Sequence, residues 1–274
     1  MNLEQALQIV SETDVGMVRS QNEDAVAVDG SRGLVVLADG MGGHNAGEVA
    51  SSTAIAVIMT EMRNSLDQHV HLTVDAQTGQ SEAQKLLRDN IAKANSSIYQ
   101  TSLSESRYSG MGTTLVIALF NDNKVTVAHL GDSRLYRLRG EELKQMTKDH
   151  SLLQAQIDSG LITAEQARES ARKNIVLGAL GIAAEVEPEI HGYDTLQGDI
   201  YLLCSDGLSD MVSDEDIALA LRTFDADLKH CAQQLVQMAN NNGGRDNVSV
   251  ILIKVLRNYA APRGLLARVF GQLS

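Results

Sequence analysis

Short apolar runs rich in Val, Ile and Leu fall in neighbouring groups along the chain, and longer runs of helical period stand in pairs between them. The strand-like runs cover 7–12, 25–28, 33–38, 113–120, 124–130, 133–138, 199–204 and 247–255. The run 124–130 alternates, placing Val125, Val127 and His129 on one face. Helical period appears over 47–62, 83–99, 213–222 and 226–240. In the second, Leu86, Leu87, Ile91, Ala94 and Ile98 share a stripe; the third opens with Ser213 and Asp216, close to a capping box. Such grouping predicts an α+β fold with helices layered on antiparallel sheets, not βαβ alternation. The stretches 64–81 and 101–110 read as loops, and 147–181 as a lobe over one end of the sheets. No repeat, low-complexity tract or Pro/Gly linker breaks the chain, so a single domain is expected.

Composition narrows the class. Hydrophobic residues make 43% of the 274 positions, enough for a core, but with 3% aromatics and no Trp that core must be aliphatic. A net charge of −12 argues against a nucleic-acid-binding surface, which needs a basic footprint. It leaves room for a phosphorylated substrate, because bound cations reverse the field of an acidic cleft. Two cysteines, Cys204 and Cys231, form no disulfide framework and fit a reducing compartment. Residues 1–13 lack the marks of a signal peptide, and no apolar run nears the ~18 residues of a membrane span. A cytoplasmic location is the expectation.

The candidate chemistry is acidic. Asp29-Gly30, Asp39-Gly40 and Asp206-Gly207 each have the composition of a hairpin turn. The first sits between two strand-like runs and fits that reading. The other two each follow an apolar strand and precede a helix, which would fix their carboxylates at a strand end facing a cleft. With Asp246, just before the last strand, they could hold hard cations through oxygen ligands, though each alone reads more often as a turn residue or cap. Asp132, between two strands, reads as a turn residue. Arg19, Glu23 and Asp24 read as a solvated loop, or as an anion grip beside a cation cluster.

Seven segments appear in order: TDVGMVRSQNEDA at 13–25, LADGMGGHNAGEVAS at 37–51, GMGTTLV at 110–116, HLGDSRLYRL at 129–138, TKDHSL at 147–152, LLCSDGLSD at 202–210 and GGRDNVSVIL at 243–252. Together they resemble the type 2C family of metal-dependent Ser/Thr protein phosphatases in its compact bacterial form. The resemblance implies a central antiparallel β-sandwich flanked by helices on both sides, four layers in the order αββα. It implies one catalytic domain over 1–256, with a flap at about 147–181, followed by a basic tail at 257–274. It implies two Mn2+ or Mg2+ ions and a third, weaker one. Asp39 would bridge the two, with the Gly40 carbonyl on one of them and Asp206 and Asp246 on the other. Glu23 would act through a water, with Asp24 beside it; Asn247 would support Asp246; and Asp132 with Asp206 would hold the third ion. Arg19 would bind the substrate phosphate. Arg19, Asp39 and Asp206 would carry catalysis, in which a metal-activated bridging water attacks phosphoserine or phosphothreonine. The partners implied are phosphorylated proteins, among them a cognate Ser/Thr kinase and its substrates, met by a monomer.

Two positions depart from the family pattern. Met41 stands where eukaryotic members place a His, and Val176-Leu177-Gly178 replaces a frequent Thr-Arg. His44 reads as a residue capping or packing near the helix start. Cys204 is not a tyrosine-phosphatase nucleophile, since Asp210 stands where that chemistry wants an Arg. A two-metal nuclease is disfavoured by the charge. A catalytically weak phosphoprotein-binding regulator of the same fold is disfavoured by the presence of all the metal acids. From 248 to 274 there is no Asp or Glu, so the basic tail is expected to pack on the protein's own acidic surface, with membrane or partner docking as the weaker reading.

Overall fold

Strands this rich in Val, Ile and Leu need apolar cover, and in this computed structural model they find it by pairing into two antiparallel sheets. Residues 3–43, 45–68, 81–163, 166–167 and 175–260 are described. The strands are β1 (Leu7–Asp14), β2 (Asp24–Asp29), β3 (Leu34–Met41), β4 (Gly112–Thr113), β5 (Leu115–Asn121), β6 (Lys124–Leu130), β7 (Arg134–Arg139), β8 (Glu142–Gln145), β9 (Glu189–Asp194), β10 (Ile200–Cys204) and β11 (Val248–Val255). The first sheet runs β1-β11-β10-β7-β8 and the second β2-β3-β5-β6-β9, with β4 on the end of β3.

Face-to-face stacking makes the central core. Val35, Leu37, Val116, Phe120 and Val127 of the second sheet share it with Leu135, Tyr201, Leu203, Ile251 and Ile253 of the first. Phe120 and Tyr201 meet edge to face, ring centroids 5.3 Å apart. Helices α1 (Ala46–Gln68) and α2 (Glu82–Ser104) cover the outer face of the second sheet through Ala50, Ala54, Ile58, Leu87 and Ile91. On the first sheet α5 (Asp214–Thr223) and α6 (Leu228–Asn241) do the same through Ile217, Leu221, Cys231 and Leu235. The layers are therefore αββα, the architecture that the resemblance implies. Two shorter helices, α3 (Leu152–Asp158) and α4 (Asp206–Ser209), lie at the ends of the sandwich strands.

Several local expectations need correction. Helix α1 runs on to Gln68 and α2 to Ser104, so the loops expected at 64–81 and 101–110 begin inside helices. Residues 69–80 lie outside those described. The run 113–120 is two strands, because it breaks at Thr114, whose hydroxyl and amide turn to hold Asp39. Strands β8 and β9 were not expected. ELKQ and EIHGYD are too polar to read as core strands, and both are sheet edges, where one pairing partner and half-burial suffice. The full capping box belongs to Ser81 and Gln84. At α5 the Ser213 hydroxyl accepts from Asp216 N at 3.1 Å but donates to the Asp216 carboxylate, so only half of that box forms.

Candidate active site

Each Asp-Gly pair that was read as a strand end sits where the backbones crowd. A Cβ on Gly40 would lie 2.2 Å from the Gly47 carbonyl oxygen and 2.7 Å from that of Glu23. One on Gly207 would lie 2.0 Å from the carbonyl oxygen of Asn247. Glycine is therefore required at both places, and both are close approaches rather than hairpins. The first brings the start of α1 against β3 and gathers Glu23, Asp24 and Asp39. The second brings α4 against the start of β11 and gathers Asp206 with Asp246. Asp29-Gly30 does lie in the β2–β3 turn, with Asp29 Oδ1 accepting from Ser31 Oγ at 2.6 Å and Oδ2 from Arg63 Nε at 2.8 Å.

Asp39 lies opposite Asp24 in the β2–β3 register. Its amide donates to Thr114 Oγ1 at 3.1 Å, and its carbonyl accepts from Thr114 N at 2.8 Å and Thr113 Oγ1 at 2.9 Å. The GMGTTLV motif thus clamps the backbone of Asp39, while Thr114 Oγ1 pairs with Ser133 Oγ at 2.7 Å beside Asp132. Ser205, fully buried, donates to Asp24 Oδ2 at 2.8 Å and so links the two sheets. Asp24 Oδ1 is buried with no hydrogen-bond partner.

Asn247 staples three segments. Its side-chain amide donates to Val15 O at 2.9 Å and Gln21 O at 2.8 Å, and its Oδ1 accepts from Glu23 N at 2.8 Å. Asp246 accepts from Asn247 N at 2.9 Å and from Arg19 Nη2 at 2.7 Å. Arg19 thereby reaches over the acids, with half of its side chain still in solvent. Asp132 is buried in the turn between β6 and β7, and a cavity of about 410 Å³ is lined by Asp132, Asp206, Asp210, Arg134 and Asp149. His44 lies outside the described residues.

Electrostatically this cluster is incomplete by itself. Burial, then repulsion from Asp24, Asp206, Asp132 and Asp246, holds Asp39 well above the usual carboxylate range. Burial, then Asp132, Asp246 and Asp210, does the same to Asp206. Burial pushes Asp24 and Asp132 up to about 6, and burial also raises Glu23 against the pull of Arg19. All five leading influences on Asp39, and on Asp206, oppose ionisation. Hard divalent cations fit such a donor set: all oxygen, all anionic, and with the orphaned Asp24 oxygen beside it. By contrast, burial pushes Cys204 up to about 12, which removes it as a nucleophile.

Among the site's parts, the hydroxyls of Thr113, Thr114, Ser133 and Ser205 were not foreseen. Thr and Ser in a strand edge carry no signal of their own, and only pairing across the sheets shows what they hold.

A four-layer sandwich with buried carboxylates converging at its mouth offers hard cations a site of oxygen ligands. The chain belongs to the protein phosphatase 2C family, whose pattern it matches over residues 18–252. It is 40% identical over 262 residues to the serine/threonine protein phosphatase PstP of Mycobacterium tuberculosis, an alignment covering 95% of this chain and 48% of that protein. The chain thus spans about half the length of that relative. It is 38% identical over 248 residues to the serine/threonine phosphatase stp of Listeria monocytogenes, covering 88% of this chain and 93% of that one. The crystal structure of the PstP catalytic domain with two manganese ions superposes with a TM-score of 0.78 at 39% identity, covering 92% of this chain and 99% of that domain.

Proposed function

We propose that this chain hydrolyses phosphoserine and phosphothreonine in proteins, with two Mn2+ or Mg2+ ions held by Asp39, the Gly40 carbonyl, Asp206 and Asp246, and a third, weaker ion at Asp132 and Asp206. The observation that carries the reading is the convergence of mutually repelling, buried Asp side chains at one mouth, with an exposed Arg over them. When bound, two such ions lower the pKa of water and neutralise a phosphoryl group. The remaining work belongs to side chains. Arg19 presents a planar, half-exposed guanidinium to the phosphate oxygens, and Asp246 fixes its direction. Glu23 is held by Asn247 at its amide and by the Gly47 and Glu48 amides at its carboxylate, so it can orient a water through the start of α1. Asn247 keeps the β1–β2 segment, which carries Arg19, against β11. Met41 offers no proton to a leaving group, so that proton comes from water.

The catalytic unit is residues 1–256 with the flap at 147–181, and 257–274 is an appendage. Its first residues are anchored at Tyr259, whose amide donates to Asn123 Oδ1 at 2.7 Å and whose hydroxyl pairs with Thr195 Oγ1 at 2.7 Å; residues 261–274, on which the expected packing of the basic tail falls, lie outside those described. The setting is cytoplasmic signalling, where a monomer reverses a cognate Ser/Thr kinase. No helix among the described residues is long and apolar enough to cross a membrane. The test is turnover of p-nitrophenyl phosphate and a phosphothreonine peptide, each with and without manganese. Hydrolysis of both only with metal is expected, and full activity in excess chelator would sink the mechanism.

A further inference from the structure

At the opposite end of β6 from its first residue, a second group of ligating side chains gathers outside the aspartate cluster. His129 on β6 and Glu189 on β9 are direct cross-strand partners, so both side chains stand on one face of the sheet. His150, in the segment between β8 and α3, stacks its ring on His129 with centroids 4.8 Å apart and planes 27° apart. One ligand atom from each of the three lies within 4.8 Å of the other two.

The chemistry of the rings sharpens this grouping. His129 is 1% exposed, and its Nε2 lies 2.8 Å from the Lys148 carbonyl but 3.3 Å from the Lys148 amide. The shorter contact places the proton on Nε2 and leaves the lone pair on Nδ1, the arrangement of a histidine ligand whose other nitrogen is held by a backbone carbonyl. His150 Nε2 stands 3.3 Å from Glu189 Oε1. That is long for a hydrogen bond, yet it is about the 3.3 Å edge of a tetrahedron around zinc with ligands at 2.0–2.1 Å.

We propose that His129, His150 and Glu189 form a binding site for zinc or a similar borderline transition cation, separate from the hard-cation site of aspartates. Two imidazoles and a carboxylate suit such an ion, and three protein ligands leave a fourth position open. That position faces a cavity of about 530 Å³ whose lining includes His150, Glu189, Leu177 and Ile182. Glu189 supplies the travel needed to close the set, since 44% of its side chain is exposed on an edge strand. Loading costs His150 its weak contact with the Gly131 amide, 3.3 Å from Nδ1.

Such an ion would act on the flap. The His150 carbonyl accepts from Leu177 N at 2.7 Å, and Leu152 N donates to Ile175 O at 2.9 Å, so the two ends of the flap meet at His150. Zinc there would pin the flap base to β6 and β9, one residue from the turn that holds Asp132. The proposal does not depend on the reaction assigned above.

Equilibrium dialysis of the whole chain against zinc, with manganese in excess to fill the aspartate cluster, tests it. The parent protein should retain one additional zinc, and cobalt in its place should give the intense visible absorption of a tetrahedral site. Glu189→Gln should lose at least tenfold in zinc affinity, and His150→Ala should lose the additional ion. Both should keep a single cooperative thermal melt, which reports that they fold. Should His150→Ala fail to fold, Glu189→Gln, changed only at a half-exposed edge, decides alone. Retention of zinc at full affinity by a folded Glu189→Gln, or no zinc uptake by the parent, would overturn the site.

Discussion

Arg19 and the aspartates make opposite demands on their surroundings, and substitutions separate them. The Arg19–Asp246 pair is half in solvent, so its removal by Arg19→Ala should change stability by less than about 1 kcal/mol. The loss of a charge-assisted grip on phosphate is worth roughly 1.5–3 kcal/mol, so kcat/KM should fall about 10- to 150-fold. Steady-state kinetics beside a thermal melt checks both, and unchanged kinetics would remove Arg19 from the site. Asp39→Asn should do the reverse: abolish turnover, yet raise the melting temperature of metal-free protein, because a buried charge and its four repulsions disappear together. A lower melting temperature would mean that Asp39 serves the fold rather than a cation.

The same burial sets a pH dependence. Asp24 and Asp132 reach about 6 in the folded state, above the 3.8 of the free side chain. A raised carboxylate pKa destabilises the fold once pH exceeds the unfolded value, and the penalty is complete above the folded value. Metal-free protein should therefore melt at rising temperature as pH falls from about 7 towards 5. Asp132→Asn should flatten that slope, and a melt that ignores pH in both proteins would contradict the burial argument.

At the scale of elements, the close approaches govern. Gly207 passes α4 against the last strand with no room for a methyl group, so Gly207→Ala must displace Asn247 and with it the staple on residues 15–23. Overpacking of this kind costs about 1–3 kcal/mol, and the displaced Asp206 and Arg19 should make the loss in turnover far larger than the loss in stability. A variant with parent activity would show that the crossing relaxes without moving the acids.

Much of this was legible in the chain. Both crossing points announced themselves as Asp-Gly after an apolar strand and before a helix, and the core strands as branched aliphatic runs. What stayed hidden had a physical cause. Edge strands such as EIHGYD need little apolar surface, so β9 left no periodic trace, and with it the pairing of His129 with Glu189 was invisible. Likewise nothing in the sequence marks Ser205 as a bridge, because a hydroxyl acquires that role only when two distant strands stop side by side.

For the molecule as a whole, the acids do not belong to one sheet. Asp24 opens β2 and Asp39 lies near the end of β3, both in the second sheet, while Asp206 and Asp246 flank strands of the first. An ion held by members of both is a clasp across the seam of the sandwich, so its occupancy and the cohesion of the two halves are one equilibrium seen from two sides. A melt can then serve as a binding isotherm: past saturation, each tenfold rise in free manganese should add about 1.4 kcal/mol per clasping ion. Conversely, whatever prises the sheets apart, by heat or by strain, should weaken the hold on such an ion by the same free energy.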